Sequence, residues 1–259
     1  MQSTPQPAAP GPSSRAPRPR RQARFAPDRF RIGDAVMVLA YVVLFVAGAA
    51  ALLTLIPGFK ETFNTAERAA AAVNFIVYAV LFTGAMIMAF PTLVRSFRTF
   101  AYHPWAKAFM VPGAWVVNLI ATTIVIVSLG GAVKSENQLA IEGMTTSVPF
   151  PTMLVMAAIM GPFVEEYVFR HLLIGKLSRK VNVWVCVVIS IVLFAGMHFL
   201  GSGSFDPMAA IPYVSLGAVI SVAYVLTGRS LAYSYLIHVL NNLIALFVAY
   251  FLLPLVPGA

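Results

Sequence analysis

Two adjacent carboxylates, Glu165 and Glu166, lie five and four residues ahead of Arg170 in the stretch GPFVEEYVFR, inside a long apolar run. The whole chain has nine acidic residues. An ionisable side chain at the bilayer centre costs roughly 2.5 kcal/mol or more and usually marks function. Neighbours on a helix point about 100° apart, whereas positions four apart can touch. Glu166 is therefore expected to be held by Arg170, leaving Glu165 aimed elsewhere. Three further polar residues are candidates for what it meets. His198 ends FAGMH, with Phe194 four residues before it on the same helical face. His238 and Asn242 lie in HVLNN, also four apart and on one face, while Asn241 is turned away and is the weaker candidate.

A carboxylate and an imidazole on facing helices can share and activate a water, one of them acting as general base. A second imidazole and an amide on one helical face can donate to a developing oxyanion. Together these groups suit hydrolysis of an amide bond without a covalent intermediate. Other designs lack parts. There is no His-Glu-x-x-His and no Gly-x-Ser-x-Gly, and GSGS at Gly201 to Ser204 reads as a flexible turn. Asp206 is the only aspartate beyond residue 34, which excludes an intramembrane aspartyl dyad. Glu165, His198 and His238 have the chemistry of a zinc site, and the residues alone leave that alternative open.

Each residue also has a structural reading. A lone intramembrane His or Asn most often hydrogen-bonds a neighbouring helix, for about 0.6 kcal/mol. The Glu pair could serve as an ion-pair network with Arg170. Against this, the first three apolar runs carry only single polar residues such as Asn74 and Asn118 in their interiors, and the ionisable groups concentrate in the C-terminal half. Of the other histidines, His103 in the loop with Arg98 and Lys107 reads as solvated, and His171 as interfacial. Cys186 reads as a small buried apolar residue.

The elements that must position these groups are transmembrane helices. Of 259 residues 59% are hydrophobic and 10% charged, against roughly 25% charged in soluble proteins. Seven apolar runs are long enough to span: Ala35 to Leu55, Ala69 to Phe90, Val111 to Leu129, Pro151 to Leu173, Val181 to Leu200, Met208 to Leu226 and Leu231 to Leu253. Splitting one of them would give eight. The expected fold is an all-α polytopic bundle, a single membrane domain over residues 31–259. Within it, 31–130 holds the N-terminal spans and 131–259 the spans carrying the site. Residues 1–30, rich in Pro, Ser, Ala and Arg, read as a disordered basic arm able to touch anionic lipid. Ser135-x-x-Gln138 has capping-box spacing and predicts a short interfacial helix. With the N-terminus cytoplasmic, fourteen of the eighteen Lys and Arg fall on the cytoplasmic side and three on the other, with Arg170 in a span. The net charge of +9 thus orients the chain and needs no nucleic-acid partner.

Glu-Glu-x-x-x-Arg, Phe-x-x-x-His and His-x-x-x-Asn, in that order on separate spans, resemble the motifs of one family. It is the CAAX-protease and bacteriocin-processing family of intramembrane glutamic endopeptidases, which includes the type II CAAX prenyl endopeptidases. The resemblance covers about Ser135 to Asn242. It implies peptide hydrolysis in the membrane with no metal or other cofactor. Glu165 would be the catalytic base, His198 would hold the same water, His238 and Asn242 would form the oxyanion hole, and Glu166 with Arg170 would support them. The implied partners are the bilayer and a hydrophobic or lipid-anchored peptide substrate, and the implied location is a bacterial cytoplasmic membrane. Members also act in bacteriocin immunity, so a non-catalytic scaffold or immunity protein is the alternative, and a proton-coupled transporter using the pair as a relay is a third. The family often has eight spans where seven are counted here. Glu165 and His238 are also expected about 12–14 Å from the cytoplasmic ends of their runs but His198 about 24 Å, at 1.5 Å per residue.

Overall fold

A computed structural model describes residues 24–101, 103–131, 133–200 and 205–255. The GSGS turn and residues 1–23 of the arm lie outside the described residues. The described chain is helical, without strands. Its main helices are α1 (Ile32–Val46), α2 (Ala66–Ala101), α3 (Pro104–Ser128), α4 (Glu136–Thr145), α5 (Phe150–Arg179), α6 (Val183–Met197), α7 (Pro207–Leu226) and α8 (Leu231–Leu255). Five of these, α2, α3, α5, α7 and α8, are long and apolar enough to cross a membrane. A sixth crossing results if α1 and the bent segment Ala49–Leu55 count as one span. The bend of 54° falls at Gly48, whose φ of 68° is left-handed and cheap only for glycine. The run Val181 to Leu200 forms α6, whose 15 residues fall short of the roughly 20 that span a bilayer. The all-helical, multi-pass bundle stands, with five or six of the seven expected crossings supported by length and composition.

The helix α5 is the axis of the bundle. Of its apolar stretch 67% is buried, against 39% or less for the other spans. Phe163, Tyr167, Arg170 and Ile174 on it are wholly enclosed. It is not regular. Leu154–Met160 and Glu166–Lys176 are wound with wide π turns, whose hydrogen bonds run between residues five apart. Pro162 lies between them and has no N–H to give, which favours such a local rewinding.

Helix starts and stops follow side-chain chemistry. The Ser135 hydroxyl accepts from the Gln138 N–H at 3.1 Å and starts the expected short helix α4, although the Gln138 side chain turns to Glu142 and does not close the box. Thr65, Asn182, Asp206 and Ser230 cap α2, α6, α7 and α8 in the same way. At one end of the bundle the start of α1, the ends of α2 and α5 and the α7–α8 turn meet. The arm reading extends to residue 30, yet residues 25–27 are packed there. Phe25 is buried, and its N–H donates to the Gly228 carbonyl at 2.8 Å. Gly175 permits this packing, since a Cβ on it would stand 2.7 Å from Pro27.

Candidate active site

The two glutamates of α5 converge on one imidazole of α8. Glu166 Oε1 accepts from His238 Nδ1 at 3.0 Å, and Glu165 Oε2 lies 3.7 Å from His238 Nε2. Of the three candidates for what Glu165 meets, it faces His238; that Glu166 reaches the same ring was not expected. Neighbouring side chains reach the two nitrogens of a single ring, where the wide turn of α5 begins. Glu166 also pairs with Arg170 at 3.0 Å, as positions four apart allow. Glu166, Arg170 and His238 are all but sealed from solvent, and Glu165 is 6% exposed. The Glu165 Oε2 atom is buried without a hydrogen-bond partner among the described residues. Tyr41 and Tyr78 are close enough to interact electrostatically with Glu165, and no periodic signal in the sequence points to them.

Phe194 ties the site together. Its ring lies 5.1 Å from His198 and 5.7 Å from His238, and the Arg170 guanidinium sits 4.5 Å over it. Arg170 also donates to the Gly217 carbonyl at 3.3 Å, anchoring α5 to α7. Unlike His238, His198 is joined to α5 through this ring rather than by a direct polar contact. The Phe194 carbonyl is 2.8 Å from His198 Nδ1 and can only accept, so the proton of the neutral ring sits on Nδ1. That leaves Nε2 with a lone pair able to hold a water. His198 is further clamped by Tyr213, stacked at 4.0 Å, whose hydroxyl is 2.7 Å from Ser135 Oγ. Tyr213 was not anticipated from sequence. His198 lines a cavity of about 240 Å³ together with Phe45, Val77, Asn74, Asn137 and Met197.

The uneven depth expected for His198 diminishes once α5 is seen to run to Arg179. Glu165 then lies about 21 Å from the end of its helix and His198 about 23 Å from the start of α6, at 1.5 Å per residue. Asn242, 85 residues from Ala157 in the chain, donates to that residue's carbonyl at 2.9 Å. In a π turn the Ala157 carbonyl would take the N–H of residue 162, which is proline, so Asn242 fills a vacancy in the helix of the glutamates. Asn241 donates to the Asn242 side-chain oxygen at 3.1 Å. His171, expected at the interface, is buried and stacked on Tyr167. Among the described residues no three His, Cys, Asp or Glu side chains have the arrangement of a metal-ligand group.

Residues 147–244 match the family model "Type II CAAX prenyl endopeptidase Rce1-like". This stretch contains every one of the candidate residues, and the resemblance read from the three motifs is borne out over it. The chain is 31% identical to "Membrane-embedded CAAX protease MroQ" of Staphylococcus aureus, over 54% of this chain and 55% of that protein. It is also 31% identical to "Putative membrane peptidase YdiL" of Bacillus subtilis, over 37% of this chain and 36% of that protein. The chain thus spans about half or less of the length of the curated relatives it matches. No solved structure matches.

Proposed function

We propose that this integral multi-pass membrane protein is an intramembrane glutamic endopeptidase. The observation that carries the reading is the convergence of Glu165 and Glu166 on His238, buried inside the matched region. Glu165 takes a proton from a water shared with His198, and the water oxygen attacks the scissile carbonyl. The carbonyl becomes an oxyanion, which His238 Nε2–H and the free hydrogen of the Asn242 amide stabilise. For that role the His238 ring carries both protons, Nδ1–H being held by Glu166. Charge then balances, with two carboxylates against the imidazolium and Arg170. Collapse of the tetrahedral centre breaks the C–N bond, and Glu165 returns its proton to the leaving amine. No metal takes part in this scheme.

The apolar lining of the cavity beside His198, including Phe45, Val77 and Met197, favours a hydrophobic or lipid-anchored peptide as substrate. The cationic end of the bundle is assigned to the cytoplasm, with the N-terminus there, in a bacterial cytoplasmic membrane.

A second reading has its own support. The hydrogen bond from Asn242 to Ala157 and the Glu166–Arg170 pair are what a scaffold or immunity protein would also need. Comparative membrane proteomics of deletion and Glu165→Gln strains separates the two. Hydrolysis requires that both strains accumulate the same uncleaved membrane protein, with the variant folded. Wild-type processing in the Glu165→Gln strain would end the endopeptidase assignment.

A further inference from the structure

Away from the glutamates, the end of the bundle where α1 begins holds an open cleft of about 540 Å³ walled largely by guanidinium groups. Arg24, Arg29 and Arg31 come from the segment before α1, Arg95 from the end of α2 and Arg179 from the end of α5. Asp28 is the one carboxylate on the wall, and it is bound to Arg31 at 2.9 Å. Five guanidiniums against one carboxylate leave the cleft strongly cationic, and its volume suits a small-molecule headgroup. Two of the walls are held in place. Arg95 donates to the Ala26 carbonyl and Arg179 to the Pro27 carbonyl, each at 3.2 Å. A guanidinium has five N–H donors in a planar fork, so one such anchor leaves the others for a ligand. Arginines from three chain segments line the one cleft, and a guanidinium fork suits the oxygens of a phosphoryl group.

We propose that this cleft binds a phosphoryl anion, presented as the headgroup of an anionic phospholipid or as free phosphate. Its walls are the ends of α2 and α5 and the segment that leads into α1, so it lies at the level where lipid headgroups meet the bundle. Clustered Arg and Lys beside spans are attracted to anionic lipid in general. Here the added feature is a shaped cleft, two of whose arginines, Arg95 and Arg179, are pre-positioned by the backbone of residues 26 and 27. An anion in it neutralises the mutual repulsion of the five cations. It thereby tightens the segment 24–31 against α2 and α5.

The test uses the full-length protein at fixed ionic strength, because surface attraction alone is screened by salt. One arm compares thermal stability and retained lipid, by native mass spectrometry, in nanodiscs of phosphatidylglycerol and of phosphatidylcholine. The other adds inorganic phosphate, with chloride as control, to the protein in neutral detergent. Retention of phosphatidylglycerol with a higher melting midpoint than in phosphatidylcholine supports the lipid source. A response to phosphate without a lipid preference supports the free anion. In either case Arg95→Gln with Arg179→Gln should weaken binding about 150-fold, at about 1.5 kcal/mol for each charge-assisted hydrogen bond to the anion that is lost. Lys180→Gln, a nearby exposed cation outside the cleft, should leave it unchanged. If the double variant does not fold, Arg179→Lys replaces it, keeping the charge and losing the fork. Absence of both responses in the wild type overturns the proposal, and so does equal loss on Lys180→Gln.

Discussion

Replacing Glu166 with Gln tests whether the centre of α5 is organised by charge. Glu166 has no exposed surface and meets Arg170 Nη1 and His238 Nδ1, each at 3.0 Å. Unit charges at that separation attract by about 5–6 kcal/mol at an effective dielectric of about 20, which offsets the cost of enclosing both. Glutamine keeps the shape and removes the charge. Arg170 would then stay in the core with the Gly217 carbonyl, the Phe194 ring and the more distant Glu165 carboxylate, but without its close ion-pair partner. Breaking a buried pair by removing one partner costs roughly 3–5 kcal/mol, and a loss of that size is expected for Glu166→Gln. Adding Arg170→Met removes the stranded cation, so the double variant should recover most of the loss. Unfolding titrations with a denaturing detergent in mixed micelles, followed by circular dichroism, measure all three proteins. A cost below about 1 kcal/mol for Glu166→Gln, or single effects that simply add, would refute the argument, since coupled neighbours do not add. Glu165→Gln, which removes a carboxylate 3.7 Å from His238 where Glu166 meets two partners at 3.0 Å, should cost less than Glu166→Gln in the same titration.

Two further predictions concern what supports the site. Asp34 takes Lys176 Nζ on both oxygens, at 2.8 and 2.6 Å, and also the Tyr167 hydroxyl, all in the interior. Asp34→Asn should therefore cost roughly 3–5 kcal/mol in the same titration, and Lys176→Met added to it should restore part; no loss would mean that α1 is not latched to α5 by charge. Restoring a peptide N–H with Pro162→Ala should lessen the cost of Asn242→Leu by about 1 kcal/mol, the worth of one hydrogen bond. A double-mutant cycle with no coupling would show that Asn242 does not stand in for the proline.

Much of this architecture is legible in the sequence, because burial in a bilayer demands long apolar runs and makes each ionisable residue conspicuous. Positions four apart placed Glu166 beside Arg170 and Phe194 beside His198, since both follow from helix geometry that tertiary packing leaves intact. The errors fall where geometry departs from the regular helix. Glu165 and Glu166 reach the two nitrogens of one ring where α5 passes from an α turn into π turns, a change of winding that a single period of 3.6 does not describe. Lys176 counts as a loop cation in the charge balance, yet it is buried against Asp34, a residue placed just outside the first run. Both misplacements have one cause. Hydropathy closes α5 at Leu173 because polar residues follow, whereas the helix continues to Arg179 with its polar groups paired inside the bundle. Pairing hides charge from a hydropathy sum, so the segment that carries the site is also the one whose limits the sum reads worst. The same extension sets Glu165 and His198 at similar depth, which is what a water shared between them requires.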